Sequence, residues 1–315
     1  MFTSHDGLCG IGELAERAGV TVKAVRFYSD NGLLPEASRS AGGHRRYGPE
    51  ALGRLRLLRS LRTLGLPVRE VRRVLDEDGD GADGVLEDAV AGHLRALGSQ
   101  LTALRWREAG MRLVLECPPG ERADRLRLIG AVTTPPSTAS LARFWRAWLP
   151  PRMPARATAA FLEVAVPQPP DAPEPAQVLA FARLHALVTR PCPGAGQPQP
   201  EAHRATGSRA PAVLYAGLAQ AYELAGTQLR RGAGPRPGEE LDSFVDAYAS
   251  AYGSRDTPAF RRLLTGQLAA DPRIDRYWEL TADVISAPGG PPEPTPGTAH
   301  DWLFAALDAQ TAAAG

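Results

Sequence analysis

The stretch "IGELAERAGVTVKAVRFYSDNGLL", residues 11–34, decides the fold of the first part of the chain. Its opening half places apolar side chains at the spacing of one helix face: Ile11, Leu14, Ala15 and Ala18. Gly10 can cap the start of this helix weakly, and Gly19-Val20 then turns the chain. The sequence therefore predicts a short helix that ends in a tight turn.

A second short helix is predicted from about Thr21 to Asp30. The side chains expected to face inward from it are Val22, Val25 and Phe27. Asn31-Gly32 supplies a left-handed stop, after which the chain leaves the helix. Two short helices joined by a turn that contains glycine are typical of a helix-turn-helix.

Residues 33–48 differ in character, because Pro35 and Gly42-Gly43 lie between short apolar or aromatic ends. This pattern predicts a hairpin or wing with a flexible tip. Two more helices are expected, at about 50–65 and 67–77. The acidic, glycine-rich run at 76–84 predicts a solvated hinge, since it lacks the twelve-residue spacing of a calcium loop.

The charge distribution indicates a local anionic partner. The 315-residue chain has a net charge of only +1, yet residues 39–73 hold ten arginines against two glutamates, which makes that window +8. DNA binding needs cations that meet phosphates and a rigid element narrow enough to enter a groove. The candidate DNA-binding residues are Thr21, Lys23, Arg26 and Tyr28 on the second helix, and Arg45, Arg46 and Tyr47 in the wing. Further basic donors on the next helix are Arg54, Arg56, Arg59 and Arg62.

A long helix is predicted over about 83–116, with one apolar side chain every three or four residues. This heptad seam is formed by Val90, Leu94, Leu97, Leu101, Leu104, Met111 and Leu115, with one polar break at Glu108. A helix of roughly 50 Å cannot bury such a seam by itself, so it needs a partner helix. A homodimer is the simplest solution, and the alternative is packing against the chain's own C-terminal part.

Residues 117–315 predict an all-helical domain with nine helices between about 121 and 312. Two stretches rich in proline and glycine, at 190–200 and 286–297, predict loops or linkers. Aromatic side chains recur along these helices, either as ordinary core or as walls of a pocket for an organic ligand. The candidate ligand-binding residues are Trp145, Trp148, Tyr248, Tyr252, Tyr277 and Trp278.

The sequence motifs of common enzymes are missing. The chain has no HExxH, GxSxG or Walker loop, and no GxGxxG after a strand, so neither an enzyme nor a cofactor is predicted. The three cysteines are far apart, and Cys117 alone cannot form a zinc or soft-metal site; it is either inert or a redox thiol. No signal peptide and no apolar run of about 18 residues is found, which predicts a cytoplasmic protein without a membrane partner.

Residues 9–78 resemble the DNA-binding domain of the MerR family of bacterial transcription regulators. The resemblance rests on the helix-turn-helix, the "RFY" and "GLL" segments, the "RRY" of the wing and the "LGL" turn between two further helices. The following helix, at 83–116, resembles the antiparallel dimerisation helix of the family. The resemblance thus implies a mainly α fold: a winged helix-turn-helix, a long coiled-coil dimerisation helix and a helical effector domain at 117–315.

Residue roles also follow from the resemblance. Arg26 and Tyr28 match positions that meet DNA, and Arg45 and Arg46 match wing arginines that grip its backbone. Val25 and Phe27 match positions that largely pack against the scaffold. The chain departs from the family pattern at two positions. His44 stands where tyrosine is usual, and Gly10 stands where serine or threonine commonly caps the first helix.

The resemblance implies a mechanism as well. Dimers of such regulators bind a pseudo-palindromic promoter and distort the DNA, so that RNA polymerase holoenzyme meets realigned promoter elements. The expected effector is an organic small molecule or a peptide bound by the C-terminal domain. The alternatives are a ligand-independent regulator or repressor, and a resistance protein that sequesters a drug.

Overall fold

The computed structural model describes residues 7–77, 81–150, 153–189, 210–268 and 271–313. These residues form 14 α-helices and one small three-stranded sheet, so the predicted mainly helical fold class is confirmed. The chain divides into two compact units, Met1–Ser99 and Gln100–Gly315, called here the N-terminal and C-terminal units. The division falls within the long helix, and the predicted domain limits at 9–78, 83–116 and 117–315 stay a prediction. Residues 78–80 of the predicted hinge lie outside the described residues.

The N-terminal unit combines short helices with a sheet in which both pairs of strands are antiparallel. Its helices are α1 (Ile11–Ala18), α2 (Val22–Asp30), α3 (Glu50–Thr63) and α4 (Val68–Leu75). Its strands are β1 (Cys9–Gly10), β2 (Ser38–Arg39) and β3 (Arg45–Tyr47), in the order β1-β3-β2. The register pairs Cys9 with Tyr47 and Ser38 with Arg46. The predicted hairpin is therefore β2-β3, and β1 is an additional strand that the sequence did not predict.

Local sequence explains the limits of α1 and α2. Gly19 ends α1 in the left-handed region at φ 64°, where a side chain would be strained. The Thr21 hydroxyl then caps α2 by accepting a hydrogen bond of 3.2 Å from the Ala24 amide. Gly32, at φ 69°, follows the last turn of α2 as predicted. The turn between the two helices is thus fixed by backbone geometry and one cap.

Two apolar clusters hold the N-terminal unit together. One joins α1, α2, β3 and α3 through fully buried side chains, among them Leu14, Val25, Leu34, Tyr47 and Leu55. The other lies between α3 and α4 and includes Leu33, Leu58, Leu61, Leu66 and Val71. Together they fix the position of α2 against the rest of the unit.

The predicted long helix is one continuous element, α5 (Ala82–Glu116). Its first turns contribute Ala89 to the core of the N-terminal unit. Its last turns contribute Trp106, Ala109 and Leu113 to the core of the C-terminal unit. One face of the helix is therefore packed along its second half as well as at its start.

All nine helices predicted for the C-terminal unit are present. They are α6 (Arg122–Gly130), α7 (Ala139–Trp148), α8 (Ala155–Ala165), α9 (Pro175–Thr189), α10 (Ala210–Arg230), α11 (Glu239–Tyr252), α12 (Pro258–Gln267), α13 (Pro272–Ile285) and α14 (Pro296–Ala313). The predicted loop at 190–200 lies outside the described residues, whereas 286–295 is a loop as predicted. None of the helices in the described part of the chain is both long and apolar enough to cross a lipid bilayer.

The C-terminal unit has two apolar cores. The first packs α10, α11, α12 and α14 around Phe244, Tyr248 and Leu303. The second packs α7, α9 and α13 against α5 and is dominated by rings, with Trp145 and Tyr277 4.9 Å apart between centroids. The Tyr277 hydroxyl donates a 2.7 Å hydrogen bond to the Ala165 carbonyl, which ties α13 to the end of α8. Helices from both cores, namely α7, α10, α13 and α14, enclose the cavity described below together with α8.

Candidate nucleic-acid interface and cavity

Helix α2 presents two cations to solvent. Lys23 and Arg26 are exposed and make no hydrogen bond or ion pair with any part of the chain that the structure describes. Thr21 is exposed as well, but its hydroxyl is engaged in the cap of the helix. Tyr28 is half-buried between the two apolar clusters of the unit. A short helix with unpaired cations on its outer face is the element that groove binding requires.

Phe27 does not pack as predicted, because its side chain is 49% exposed. Val22 is also exposed, and Val25 is the one buried residue of α2. The reason is helical geometry: residues two positions apart lie on opposite sides of a helix, so Phe27 cannot share the inward face of Val25. Its ring instead meets the Tyr28 ring edge-on at 5.6 Å, on the same exposed side as Arg26. The prediction that Phe27 faces inward was wrong.

The wing arginines are held by the protein itself. Arg45 pairs with Asp30 at 2.5 Å and with Glu36 at 3.1 Å, and the hydrogen bond to Asp30 raises the pKa of its guanidinium. Arg46 donates a 3.0 Å hydrogen bond to the Leu8 carbonyl. These contacts fasten β3 to the end of α2 and to the residue before β1. Their predicted grip on DNA stays a prediction, and two carboxylates already balance the charge of Arg45.

Tyr47 is fully buried, and its hydroxyl lies 2.8 Å from the Ser29 hydroxyl. A side chain in this position contributes to the core between β3 and α2 and cannot reach DNA. Its position in a strand explains the difference. Side chains alternate between the two faces of a sheet, and the face that Tyr47 occupies is covered by helices. The predicted DNA contact of Tyr47 is therefore corrected to a structural role.

The arginines of α3 are anchors for backbone carbonyls. Arg54 donates to the carbonyls of Leu33 and Leu75 at 2.7 and 2.5 Å, and it pairs with Asp76 at 2.7 Å. Three further arginines of α3 do the same: Arg56 to Arg17 at 3.4 Å, Arg59 to Ala18 at 3.0 Å, and Arg62 to Leu66 at 2.5 Å. The carbonyls at the ends of helices lack partners within the helix, and guanidinium groups can supply them. Most of the basic window therefore stabilises the fold, contrary to the expectation that these residues add phosphate contacts.

The seam of α5 is an exposed apolar stripe. Exposed side chains run along the helix at Leu94, Leu97, Leu101, Leu104, Met111 and Leu115, while Val90 is half-buried. Leu115 is 75% exposed, whereas Trp106 on the opposite face is buried. Contiguous apolar surface of this kind marks an interaction site on a protein that is otherwise well packed.

A cavity of about 250 Å³ lies inside the C-terminal unit, between α7, α8, α10, α13 and α14. Three of the predicted ligand-binding residues line it, namely Trp145, Trp148 and Trp278. The other three do not: Tyr248 and Tyr277 are buried in the two cores, and Tyr252 packs on Phe260. Their expected ligand contact is corrected to core packing.

Sequence reasoning missed the rest of the lining. Four aromatic residues complete the walls: Phe161, Tyr215, Tyr222 and Phe304. The polar residues of the lining are Asp271, Asp275, His300 and Asp301. Aromatic content gave a signal for Phe161, Tyr215 and Tyr222, but nothing in the sequence indicated that the aspartates of α13 and α14 come together.

The aspartates give the cavity an uncompensated negative end. Burial, followed by the charges of Asp271 and Glu279, raises the pKa of Asp275. Burial and the charge of Asp275 raise the pKa of Asp301, which lies at the more exposed rim. Neither side chain makes an ion pair or hydrogen bond with the residues that the structure describes. A positive group placed beside them would be stabilised.

His300 adds no positive charge to this site. Burial lowers its pKa to about 4, so the imidazole is neutral at physiological pH. Its Nδ1 lies 3.0 Å from the Tyr222 hydroxyl, which fixes both rings in the wall. The lining thus offers three carboxylates and one neutral imidazole.

Within the described ranges, no group of three or more His, Cys, Asp or Glu side chains could hold a metal ion. The Cys117 thiol, at the end of α5, donates a 3.4 Å hydrogen bond to the Val114 carbonyl. Cys192 lies outside the described residues.

Comparison with known proteins places the N-terminal part among regulators. Residues 9–78 match the family model described as "MerR HTH family regulatory protein". The chain is 34% identical over 117 residues to an uncharacterised HTH-type transcriptional regulator of Pseudomonas aeruginosa, covering 36% of this chain and 89% of that protein. It is 36% identical over 109 residues to the mercuric resistance operon regulatory protein of Serratia marcescens, covering 34% of this chain and 75% of that protein.

A third similarity is closer in identity but shorter. The chain is 46% identical over 66 residues to the nodulation protein NolA of a Bradyrhizobium species, covering 21% of this chain and 28% of NolA. The matched segment thus spans less than a third of that relative. The family-model match at residues 9–78 lies within the N-terminal unit.

Proposed function

Because this chain belongs to the MerR family of DNA-binding transcription regulators, we propose that it acts as a homodimer that senses an organic ligand. The dimer binds a pseudo-palindromic promoter site and activates transcription by distorting the DNA between promoter elements. The observation that carries the DNA-binding part is the outer face of α2. There Lys23 and Arg26 are exposed and unpaired, whereas the neighbouring arginines of α3 are committed to backbone carbonyls.

A second copy of the chain is the partner proposed for the seam of α5. From Leu94 to Leu115 the stripe is roughly 32 Å long at 1.5 Å per residue. The chain's own C-terminal unit already packs on the other face of the helix through Trp106, Ala109 and Leu113. This packing argues against the alternative that the seam is covered from within the chain. Heptad spacing with exposed leucines is typical of a helix that pairs with another helix.

Dimerisation would double the number of recognition helices that read a promoter site. Two copies of α2 related by a two-fold axis would enter successive major grooves, which requires a pseudo-palindromic site. Bending or untwisting the intervening DNA costs about 1–6 kcal/mol for such bends, and contacts from both protomers offset this cost. Realignment of promoter elements for RNA polymerase holoenzyme is the proposed outcome.

The C-terminal unit is the proposed sensor. Its residues beyond α5 are not part of the helix-turn-helix or of the proposed dimer seam, and they enclose an aromatic cavity with a few polar groups, as ligand sites usually do. Binding there would activate only if the ligand prefers the conformation in which the DNA is distorted. In this proposal the ligand binds in the cavity, and the response occurs at the DNA that α2 contacts.

The dimer is tested by two charge substitutions in the seam. Leu97→Glu with Leu101→Glu should give monomers in light scattering, because each protomer would bring two carboxylates into the apolar contact with the partner helix. The same protein should lose specific binding to its own promoter region in a gel shift. Gln100→Glu, an exposed neighbour outside the seam, is the control and should remain dimeric. A double variant that stays dimeric would refute the seam as the interface.

Activation is tested separately by transcription in vitro with purified RNA polymerase holoenzyme. Ligand should increase transcript from the promoter at constant occupancy of the site, since the proposed step is distortion of bound DNA. A decrease in transcript would identify a repressor. Ligand binding with no change in transcript would identify a protein that mainly sequesters its ligand.

A further inference from the structure

The walls of the cavity are predominantly aromatic. Trp145 and Trp278 have ring centroids 5.3 Å apart, and Trp145 meets Trp148 edge-on at 5.2 Å. Phe161 bridges the two sides, since its ring lies 5.2 Å from Trp145 of α7 and 5.3 Å from Tyr215 of α10. Ring faces of this kind bind apolar bodies and attract cations through their quadrupoles.

The size of the cavity limits the ligand. At about 250 Å³ it lies just below the usual range of about 300–1,000 Å³ for small-molecule sites. A compact molecule of one or two rings fits this volume, whereas a peptide or a large polycyclic drug does not. Of the two effector classes expected from the sequence, the volume favours the small molecule.

The polar end of the cavity determines the sign of the charge that a ligand can carry there. Asp271 and Asp275 come from α13 and its N-terminal cap, and Asp301 comes from α14. No arginine or lysine is found among the described residues that line the cavity, and the two arginines nearest in sequence are engaged elsewhere. Arg273 donates to the Leu187 carbonyl and lies over the Phe144 ring, and Arg276 pairs with Glu279. The negative charge therefore has no neutralising group within the cavity.

Other ligand classes fit this arrangement less well. An organic anion would be repelled by three carboxylates with no basic side chain to receive it. A metal ion would need several donors converging at one point, and the described residues show no such group. A neutral apolar molecule could fill the cavity and contact its aromatic walls, but it would leave the negative charge of the carboxylates uncompensated.

We propose that the ligand of this cavity is a small lipophilic organic cation, with an aromatic body against the aromatic walls and a single ammonium-type charge facing Asp275 and Asp301. This inference rests on the proposed role of the C-terminal unit as a ligand sensor and narrows it to one chemical class. The cation would meet both the carboxylates and the aromatic rings that line the cavity.

Three probes of nearly equal shape test the charge. Benzyltrimethylammonium carries the cation, neopentylbenzene is its neutral carbon analogue, and phenylmethanesulfonate carries an anion on the same benzyl group. Binding to the full-length protein without DNA is followed by calorimetry and by quenching of tryptophan fluorescence. We expect the cation to bind at least roughly tenfold more tightly than the neutral probe, in line with a desolvated cation–π contact. The anion should not bind measurably.

Matched variants locate the effect. Asp275→Asn and, separately, Asp301→Asn should each remove most of the preference for the cation while leaving binding of the neutral probe unchanged. Asp283→Asn changes the same group on the exposed side of the same helix and should bind like wild type. Circular dichroism before titration confirms that each variant is folded. Because two independent aspartate variants are made, the test remains possible if one of them does not fold.

The outcomes separate the two proposals. Equal binding of all three probes, or a preference for the anion, would overturn the cation inference and leave the cavity as a ligand site. Loss of cation binding in Asp283→Asn to the same extent as in Asp275→Asn would also overturn it. Absence of binding by every probe would overturn both the cation inference and the sensor role of the cavity. DNA binding, measured independently, would then still stand.

Discussion

The two units of the chain solve the same problem of stability by different means. The N-terminal unit is small, and guanidinium groups from α3 join its helices by donating to carbonyls at or just beyond the ends of α1, α2 and α4. The C-terminal unit is larger and relies on stacked and edge-on aromatic rings in two cores. A larger unit buries a greater fraction of its surface, so it can tolerate a cavity and unpaired carboxylates.

Each unit carries charged side chains on a candidate functional surface that have no partner among the described residues. In the N-terminal unit they are the unpaired Lys23 and Arg26, and in the C-terminal unit they are Asp275 and Asp301. The net charge of +1 conceals both, because one surface is positive and the other negative. Local charge therefore tells more about partners than the total does.

The largest expected effect tests the role of arginine in the N-terminal unit. Arg54→Ala removes two bonds to carbonyls and one ion pair, and should destabilise that unit by about 3 kcal/mol, since hydrogen bonds from charged groups contribute about 1.5–3 kcal/mol each. Hydrogen exchange should show faster opening of α3 and α4, with protection in α10 and α11 unchanged.

Arg69→Ala is the control for this change, because the Arg69 side chain is 91% exposed and contacts only the neighbouring Glu70. It should alter stability by less than about 0.5 kcal/mol, as is usual for surface sites. If the two variants proved equally stable, the contrast between a unit held by arginines and one held by rings would be lost.

The next effect concerns the cavity wall. Gly297 lies against Trp278 so closely that an added Cβ would approach the indole Cγ to 2.2 Å. Gly297→Ala should therefore displace the ring, destabilise the C-terminal unit by about 2 kcal/mol as overpacking does, and weaken binding of the cationic probe. Differential scanning calorimetry measures the first result and probe titration the second.

Gly266→Ala serves as the matched control, since nothing lies within 4 Å of the Cβ that it would add on α12. Replacing an exposed helical glycine should stabilise the protein by up to about 1 kcal/mol. Equal destabilisation by the two substitutions would show that Trp278 is not fixed by Gly297.

The smallest effect is a pH-dependent gain in stability. The raised pKa of Asp275 means that its contribution to stability is present at low pH and is lost as the pH rises through that pKa. Asp275→Asn cannot ionise, so it should unfold at a higher temperature than wild type at pH 7. The advantage should fade below the ordinary carboxyl value of 3.8. Thermal unfolding at both pH values would detect it, and a variant less stable than wild type at pH 7 would contradict it.

Local patterns predicted the helices well, because their signals lie close together in the sequence. Thr21 and Gly19 fixed the turn between α1 and α2, and heptad spacing fixed the course of α5. The apolar period of the C-terminal helices gave all nine of them. These features depend on neighbours within one or two turns.

Features that depend on long-range contacts could not be predicted. The acceptors of Arg54 lie on carbonyls that are distant in sequence, so the basic window suggested DNA contacts and not anchors. Tyr222 and His300 are in contact although 78 residues separate them in the sequence. Tyr248 lies in the first core of the C-terminal unit and not in the cavity wall, and this depends on how α11 packs. Periodicity identifies the inward face of a helix but not what that face meets.

The central claim is that the exposed face of α2 binds promoter DNA, and a fluorescence anisotropy titration with the protein's own promoter fragment tests it most directly. Wild type is compared with Arg26→Ala and with Arg127→Ala, which removes the same charge from a 77% exposed side chain in the C-terminal unit. Arg26→Ala should weaken binding by about 1–3 kcal/mol, or roughly 5–150-fold, whereas Arg127→Ala should bind like wild type. Equal affinity of Arg26→Ala and wild type across a range of salt concentrations would contradict the account.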